Sequence, residues 1–395
     1  MASISKKTTK FLEQGSWIRK MFEQGIALKN QFGEKNIYDL SLGNPIISPP
    51  KEFFLHLSRF ANENEPSNHR YMPNAGFNET REAIAENLHK ETNLPINQSH
   101  IIMTCGTGGA LNVALKTLID PGDEVIIFSP YFVEYKYYID NHSGEPIVID
   151  YDDNYLPNFN QLDSKITEKT KVILINSPNN PTGVLYTKDT LAKIGELIRE
   201  KQKQFNSEIF ILSDEPYRKI VFDNLEAPNI FDFHEQSIIA TSHSKDLGIP
   251  GERIGFIAVN PLYKKSTELI DGMTFWNRAL GFVNAPALMQ RVVSMIQDSS
   301  VDIQSYEQKR NFLYNSLKKI GYCLVKPQGA FYMFPKSPIP DDVKYSKKLQ
   351  ENKVLVVPGV GFGAPGHFRI AYCTTDEIIE KSIISFRKTF EDLEK

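Results

Sequence analysis

A lysine follows the apolar run "SIIATS" inside the stretch "SHSKDLGIPGERIGF", Ser242 to Phe256. Lysines ordinarily sit in solvent, and an isolated S-x-K triplet reads most simply as a surface loop. A lysine held instead in a crevice near other cations gives up its proton more readily and becomes a nucleophilic amine, able to form a Schiff base with a carbonyl compound. Ser242, Ser244 and Arg253 flank Lys245, and hydroxyls with a forked guanidinium are donors suited to a phosphate. Other apolar runs also end in polar residues: Asn180 in "SPNNPTG" follows "KVILIN", while Asp214 and Tyr217 in "DEPY" close "EIFILS". A carboxylate at that depth needs a cationic or hydrogen-bonding partner to stay ionised, although a lone Asp equally reads as a helix cap. The Asn, Pro and Gly cluster around Asn180 equally reads as a turn. Before one apolar-periodic helix stands "TCGTGGA", whose Gly106, Gly108 and Gly109 offer bare N–H groups at a helix start, where an anion is stabilised. Alone it is a packing turn, and it matches neither a Walker loop nor G-x-G-x-x-G.

These residues need a scaffold that brings strand ends together. From about Leu111 onward, "EVIIF", "EPIVID", "KVILIN", "EIFILSD", "SIIATS" and "RIGFIAVN" alternate with segments of helical spacing. That alternation predicts an α/β unit with a mainly parallel sheet covered by helices on both faces. In the helix predicted from Lys188 to Phe205, Leu191, Ile194, Leu197 and Ile198 form the inward stripe. A ligand crevice in such a sheet lies beyond the carboxyl ends of the strands, where the polar residues above fall. After about Val283 the texture changes to two long helical patterns, then to "CLVKPQGAFYMFP", "KVLVVPG" and "FRIAYC", read as strands, and to an amphipathic helix from Asp376. The chain is accordingly divided into an N-terminal segment 1–50, a large domain 51–285 and a smaller α+β domain 286–395, which the N-terminal segment joins.

A chain of 395 residues suits a large domain with a smaller companion. Its 45 basic and 48 acidic residues give a formal net charge of −3, without a basic stripe to neutralise a phosphate backbone, so no nucleic-acid partner is expected. The opening "MASISKKTTK" lacks the apolar core of a secretory signal, and no stretch nears the roughly 20 apolar residues that span a bilayer. A cytoplasmic protein without a membrane partner is the expectation. Cys105, Cys323 and Cys373 are widely spaced with no C-x-x-C, which suggests reduced thiols and no metal site.

Taken together, a reactive amine, a buried carboxylate for a protonated pyridine nitrogen, phosphate donors and a glycine-rich helix start are what pyridoxal 5'-phosphate requires. The sequence here resembles the fold type I, class I aminotransferases, the family that includes aspartate aminotransferase. The likeness runs through nearly the whole chain, on "SLGNP", "YMPNAG", "LIDPGDEV", "PYF", "NSPNNPTG", "SDEPY", "SHSKDLGIPGERIG", "PQGAFY" and "FRIAYC" in the family's order.

The resemblance implies a seven-stranded large-domain sheet, a small domain built from both termini, and a homodimer. It implies Lys245 as the Schiff-base lysine and proton shuttle, Asp214 on the pyridine nitrogen, and Tyr217 and Asn180 on the ring hydroxyl. Phe132 would stack on the ring. Gly106, Thr107, Ser242, Ser244 and Arg253 would hold the phosphate, with Tyr71 reaching in from a partner chain; the extra glycine leaves the contact open between Thr107 and Gly108. Cys105 stands where relatives commonly carry a small residue such as serine. Arg369 of "FRIAYC" resembles the arginine that clamps the substrate α-carboxylate, supported by Gly43 and Asn180. The activity implied is exchange of an amino group between an L-amino acid and a 2-oxo acid. A carbon–sulfur β-lyase or a ring-forming synthase of the same fold uses the same lysine and is the alternative. A regulator would need a DNA-binding module in the about forty residues before "LSLGNP", which lack a basic recognition-helix pattern. Arg278 in "FWNRALGF" is the one candidate for reading a side-chain carboxylate, against its reading as a surface arginine.

Overall fold

The computed structural model describes residues 3–14, 17–63 and 65–393. Its strands are β1 Tyr38–Asp39, β2 Ile101–Thr104, β3 Glu124–Phe128, β4 Glu145–Ile149, β5 Thr170–Asn176, β6 Phe210–Asp214, β7 Ser237–Ser242, β8 Gly255–Val259, β9 Tyr332–Met333, β10 Val354–Leu355, β11 Val357–Pro358 and β12 Phe368–Ala371. Seven of them form one sheet in the order β2-β8-β7-β6-β5-β3-β4. All seven run the same way except β8, which is antiparallel to both neighbours, β7 and β2. The fold is therefore α/β with a mixed, mostly parallel sheet.

Both faces of this sheet are covered, which is why its strands read as unbroken apolar runs. Along β5, Ile173 and Ile175 point into a core with Leu191, Ile194 and Ile198 of the helix Lys188–Phe205. Val172 and Leu174, one residue out of phase, point into a second core with Ala110, Val113 and Ala114 of the helix Gly106–Leu118. Each such side chain contributes about 1.5–3 kcal/mol by leaving water. The helix Lys188–Phe205 has the bounds its pattern predicts: the Thr187 side chain accepts from Thr190 N at its start, and Asn206 turns left-handed at its end.

Strand register then decides what meets at the sheet's edge. Asn176 on β5 pairs with Asp214 on β6, Asp214 with Ala240 on β7, and Ser242 with Gly255. Consecutive strand ends thus lie side by side, and the glycine-rich helix start follows directly from the neighbouring β2.

The chain ends build the second unit. β1 pairs in parallel with β10, so the N-terminal segment joins the C-terminal elements, and β11-β12-β9 form an antiparallel sheet. Leu40, Leu313, Leu317, Phe331, Phe368 and Phe386 share its core. The helix Ala287–Ser294 packs elsewhere: Met289, Val292 and Val293 lie in the main-sheet core with Phe53 and Phe60, so that core extends past residue 285.

One strand carries no expectation and two expectations change. "IIMT" is a strand, too short and uniformly apolar to show a period. The long strand expected in "CLVKPQGAFYMFP" shrinks to β9, because Pro327 and Pro335 remove ladder donors. "KVLVVPG" splits into β10 and β11, each pairing with a different partner.

The two units are joined backbone to backbone beside the Asn180 turn. The N–H groups of Gln328 and Gly329 both donate to the carbonyl of Gly183, at 2.8 and 3.0 Å. Gly183 has φ +72°, and a Cβ there would lie 2.6 Å from Pro327 Cβ and 2.8 Å from the Tyr332 carbonyl oxygen. Gly183→Ala is expected to destabilise the protein by roughly 1–3 kcal/mol. Denaturant titration checks this: the midpoint falls at unchanged slope, and an unmoved midpoint removes the constraint.

Candidate active site

A cavity of about 310 Å³ opens beyond the carboxyl ends of β5, β6 and β7, and the chain's two units both contribute walls to it. Lys245 stands on its floor, in the single helical turn His243–Asp246 after β7. The turn follows directly from the strand, so the lysine is aimed by the sheet rather than by a free loop. Its Nζ donates to the carbonyl of Gly43 at 2.7 Å and sits 5.5 Å from the centre of the Phe331 ring. Burial lowers the Lys245 pKa to about 8; Cys373 opposes that fall, and the Arg369 and Arg253 cations add to it.

Asp214, the last residue of β6, faces Lys245 from the adjoining wall. Burial raises its pKa to about 7; the hydrogen bond it accepts from the Tyr135 hydroxyl opposes that rise, and neighbouring Glu215 adds to it. Oδ2 takes the Tyr135 bond, whereas Oδ1 is buried with no hydrogen-bond partner among the described residues. An unpartnered carboxylate oxygen in a cavity wall is an acceptor waiting for a donor from the cavity.

A chain of amides fixes the next wall. Asn176 Nδ2 donates to the backbone carbonyl of Asp214 at 2.8 Å, and Asn176 Oδ1 accepts from Asn180 N at 2.7 Å. Asn180 Oδ1 in turn accepts from Arg369 Nη1 at 2.9 Å, and Arg369 Nη2 donates to the Ser41 carbonyl at 2.6 Å. Arg369 lies between the rings of Tyr332 and Phe362, 4.7 and 4.8 Å from their centres. It is fully buried, and among the described residues no carboxylate pairs with it. Two aromatic faces and two carbonyl acceptors hold the guanidinium without neutralising it, so the site favours an anion.

At the far end, Thr107 Oγ1 lies 2.9 Å from Ser242 Oγ, which donates to Ser244 Oγ at 3.0 Å. Arg253, left-handed at φ 52°, reaches back so that Nη1 donates to the Pro250 carbonyl and Nη2 to the Cys105 carbonyl. Gly106 is also left-handed, and a Cβ there would lie 2.6 Å from Arg253 Nη2, so only glycine lets the guanidinium cover the helix start. Helix N–H groups, three hydroxyls and a guanidinium form a cradle for a phosphate-sized anion.

Gly43, Thr107, Gly108, Phe132, Asn180 and Tyr217 all line the cavity, as do Ser242, Ser244, Arg253 and Arg369. Three predicted residues do not. Gly106 starts the helix beneath the Arg253 guanidinium and does not itself line the cavity. Tyr71 is 89% exposed on the surface. Arg278 is exposed near the end of the helix Ser266–Ala279 and stacks on Phe275, 5.6 Å from its centre, so it does not read a side-chain carboxylate in this chain's cavity. Sequence reading missed Tyr135, Tyr138, Asn176 and Tyr332. Asn176 was recoverable as the terminal residue of "KVILIN", whereas the three tyrosines lie in ordinary aromatic helix and strand patterns.

A model of aminotransferase class I and II matches residues 35–383. The chain belongs to that family. The aminotransferase is 36% identical, over 89% of its length and 93% of the relative's, to a probable aspartate aminotransferase of Methanocaldococcus jannaschii. It is 31% identical to aspartate aminotransferase of Bacillus subtilis, over 90% and 92% of the two chains. Among solved structures, an amino transferase of Eubacterium rectale superposes with a TM-score of 0.96 at 34% identity, covering all of both chains. Aspartate aminotransferase of Thermus thermophilus with maleate gives 0.87 at 26% identity, over 98% of this chain and 100% of that one. Membership implies pyridoxal phosphate as the cofactor, and the site fits it: an unpartnered buried carboxylate oxygen, an amine of lowered pKa and an anion cradle lie along one cavity.

The Asp214 carboxylate also has a consequence for stability. A folded-state pKa raised to about 7 means that the folded chain binds this proton more tightly than the unfolded one. Its contribution is full below the unfolded value near 4 and is lost as pH rises through about 7. Thermal unfolding of cofactor-free protein should therefore show wild type losing stability relative to Asp214→Asn between pH 4 and 7. Parallel curves would contradict the buried, uncompensated carboxylate.

Proposed function

We propose that the enzyme exchanges the amino group of an L-amino acid with a 2-oxo acid through pyridoxal phosphate held on Lys245, and that aspartate is its amino donor. The observation that carries the chemistry is a lysine with its pKa near 8 facing an unpartnered aspartate oxygen across one cavity. The donor follows the relatives, whose names specify aspartate.

When bound, the cofactor supplies an aldehyde that combines with amines and a ring that withdraws electrons from the carbon being deprotonated. Gly106, Thr107, Gly108, Ser242, Ser244 and Arg253 would hold its phosphate. Asp214 Oδ1 would accept from the ring nitrogen and favour its protonated form, since a carboxylate beside that nitrogen stabilises the cation. Tyr217 and Asn180 would serve the ring oxygen, and Phe132 would cover the ring. Arg369 takes the substrate α-carboxylate in a bidentate pair, which orients the Cα–H bond.

Lys245 Nζ has two tasks. It would hold the cofactor's aldehyde, and as a free amine it is placed to take a proton from the substrate Cα and to give it back. A pKa of about 8 leaves roughly a tenth of the amine uncharged at pH 7, against well under a thousandth at the ordinary value. Tyr71, 89% exposed in this chain, would serve the cavity of a second copy in a homodimer.

Incubation with aspartate and 2-oxoglutarate tests this reading: glutamate should accumulate only when both are present. Ammonia and pyruvate released without an acceptor would mark a lyase instead. Borohydride reduction of the loaded protein should fix a pyridoxyl mass on the peptide carrying Lys245, and Lys245→Ala should lose that label and on the order of 10⁴-fold in rate. Label found on another lysine would overturn the assignment. Arg369→Lys keeps the charge but loses the fork, so KM for the donor should rise roughly tenfold to a hundredfold, the equivalent of about 1.5–3 kcal/mol. An unchanged KM in steady-state assays would exclude Arg369 as the clamp.

A further inference from the structure

Tyr332 lies on β9, in the wall that the smaller unit contributes to the cavity. It touches two residues already given roles. Its hydroxyl is 2.9 Å from the Tyr217 hydroxyl, and its ring carries the Arg369 guanidinium at 4.7 Å. The rings of Tyr217 and Tyr332 meet edge to face, with centres 5.6 Å apart and planes at 83°. Among the described residues neither hydroxyl makes another hydrogen bond.

Two hydroxyls joined by one hydrogen bond hold two protons, of which one is shared and one is free. The direction of the shared proton therefore decides what Tyr217 offers to the cavity. If Tyr217 donates to Tyr332, Tyr217 presents only lone pairs. If Tyr332 donates, Tyr217 keeps a free O–H.

The surroundings distinguish the two phenols. Burial raises both, but the first charged influence on Tyr332 is the Arg369 cation, which draws its pKa back to about 12. Tyr217 stays well above the ordinary value through burial and Tyr332 itself, with Asp214 adding to the rise; the geometric difference is that the guanidinium lies directly on the Tyr332 ring. The other titratable groups facing Tyr332 are Cys373, just past β12, and Tyr306 and Tyr372. The stronger acid of a hydrogen-bonded pair is the better donor, and here it is the phenol stacked on the guanidinium.

We propose that Tyr332 is a positioning residue that donates its hydroxyl proton to Tyr217 Oη, so that Tyr217 turns its own O–H into the cavity toward the cofactor's ring oxygen. This rests on the cofactor reading given above. Tyr332 acts on the ring oxygen through Tyr217. Its ring separately supports Arg369, and that support does not need the hydroxyl.

The test uses full-length protein loaded with pyridoxal phosphate, as wild type, Tyr332→Phe, Tyr217→Phe and the double variant. The readout is the pKa of the pH-dependent visible band. A hydroxyl donated to the ring oxygen draws its electron pair away from the neighbouring proton, so losing that donor makes the proton harder to remove and raises the pKa. Tyr332→Phe leaves the Tyr217 O–H in place but removes the donor that polarises it, so it should raise the pKa by about a few tenths of a unit. Tyr217→Phe should raise it at least as far, and the double variant should match Tyr217→Phe alone. Tyr332→Phe should lower kcat roughly threefold to tenfold while KM for the donor stays within about twofold, because the ring under Arg369 remains. Placing 3-fluorotyrosine at position 332 keeps the shape and strengthens the donor, so there the pKa should fall; this arm decides the matter if Tyr332→Phe does not fold.

An unshifted band in Tyr332→Phe, a shift that persists in the Tyr217→Phe background, or a rise with fluorotyrosine overturns the donation while leaving the cofactor reading intact. Wild-type protein that shows no visible band on loading overturns the cofactor reading, and this proposal with it.

Discussion

The cavity holds more positive charge than its own walls neutralise. Lys245 and the fully buried Arg369 line it, Arg253 covers one end, and Asp214 is the carboxylate facing them, itself pushed toward its neutral form. Withdrawing an ion from water costs several kcal/mol even after relaxation, and that cost persists unless an opposite charge or good hydrogen bonds answer it. The protein answers with carbonyls and ring faces rather than carboxylates: Gly43 and Ser41 accept from Lys245 and Arg369, and Tyr332 and Phe362 sandwich the guanidinium. Such partners hold a cation in place without cancelling its field. A phosphate and a substrate carboxylate are then the species that complete the electrostatics.

The sheet makes this imbalance sustainable. Its strands are buried on both faces, and the register places Asn176, Asp214 and the start of the Lys245 turn in adjoining positions. A lysine on a mobile loop would relax toward solvent and recover its ordinary pKa. One set in the first turn after a central strand cannot do so without disrupting the β7 pairing on both sides.

Much of this was legible in the sequence because the relevant signals are local. A polar residue ending an apolar run marks a strand terminus, and that rule alone found Asn180, Asp214, Tyr217 and Lys245. The helix Lys188–Phe205 was legible for the same reason: its inward stripe lies within its own span. What stayed hidden depends on tertiary pairing. Tyr135 and Tyr332 look like core aromatics, and their importance comes from Asp214 and Tyr217, which are 79 and 115 residues away along the chain. Arg278 is the reverse case: it was the one candidate for a side-chain carboxylate, weighed against a surface arginine, and in this chain the helix turns it outward onto Phe275. The two-residue strands β10 and β11 were likewise beyond a periodicity argument, which needs more residues than either contains.

The two edges along which the units meet differ in how they depend on the cavity's contents. At one edge the Gly183 carbonyl accepts from Gln328 and Gly329, and Arg310 forms an ion pair with Asp223 through both Nη atoms, 2.8 and 2.9 Å from its carboxylate oxygens. None of these bonds involves a cavity cation, so that edge is indifferent to ligand. The other edge is the segment from Asp39 to Gly43. Lys29 anchors its start by an ion pair with Asp39 at 2.7 Å, but Ser41 and Gly43 are held to the site through Arg369 and Lys245. A ligand that claims those two cations competes directly with the two carbonyls. A ligand that takes up those cations is thus felt at Ser41 and Gly43 more directly than at 327–329, while Asp39 and Cys373 keep Ser41 and Leu42 in place.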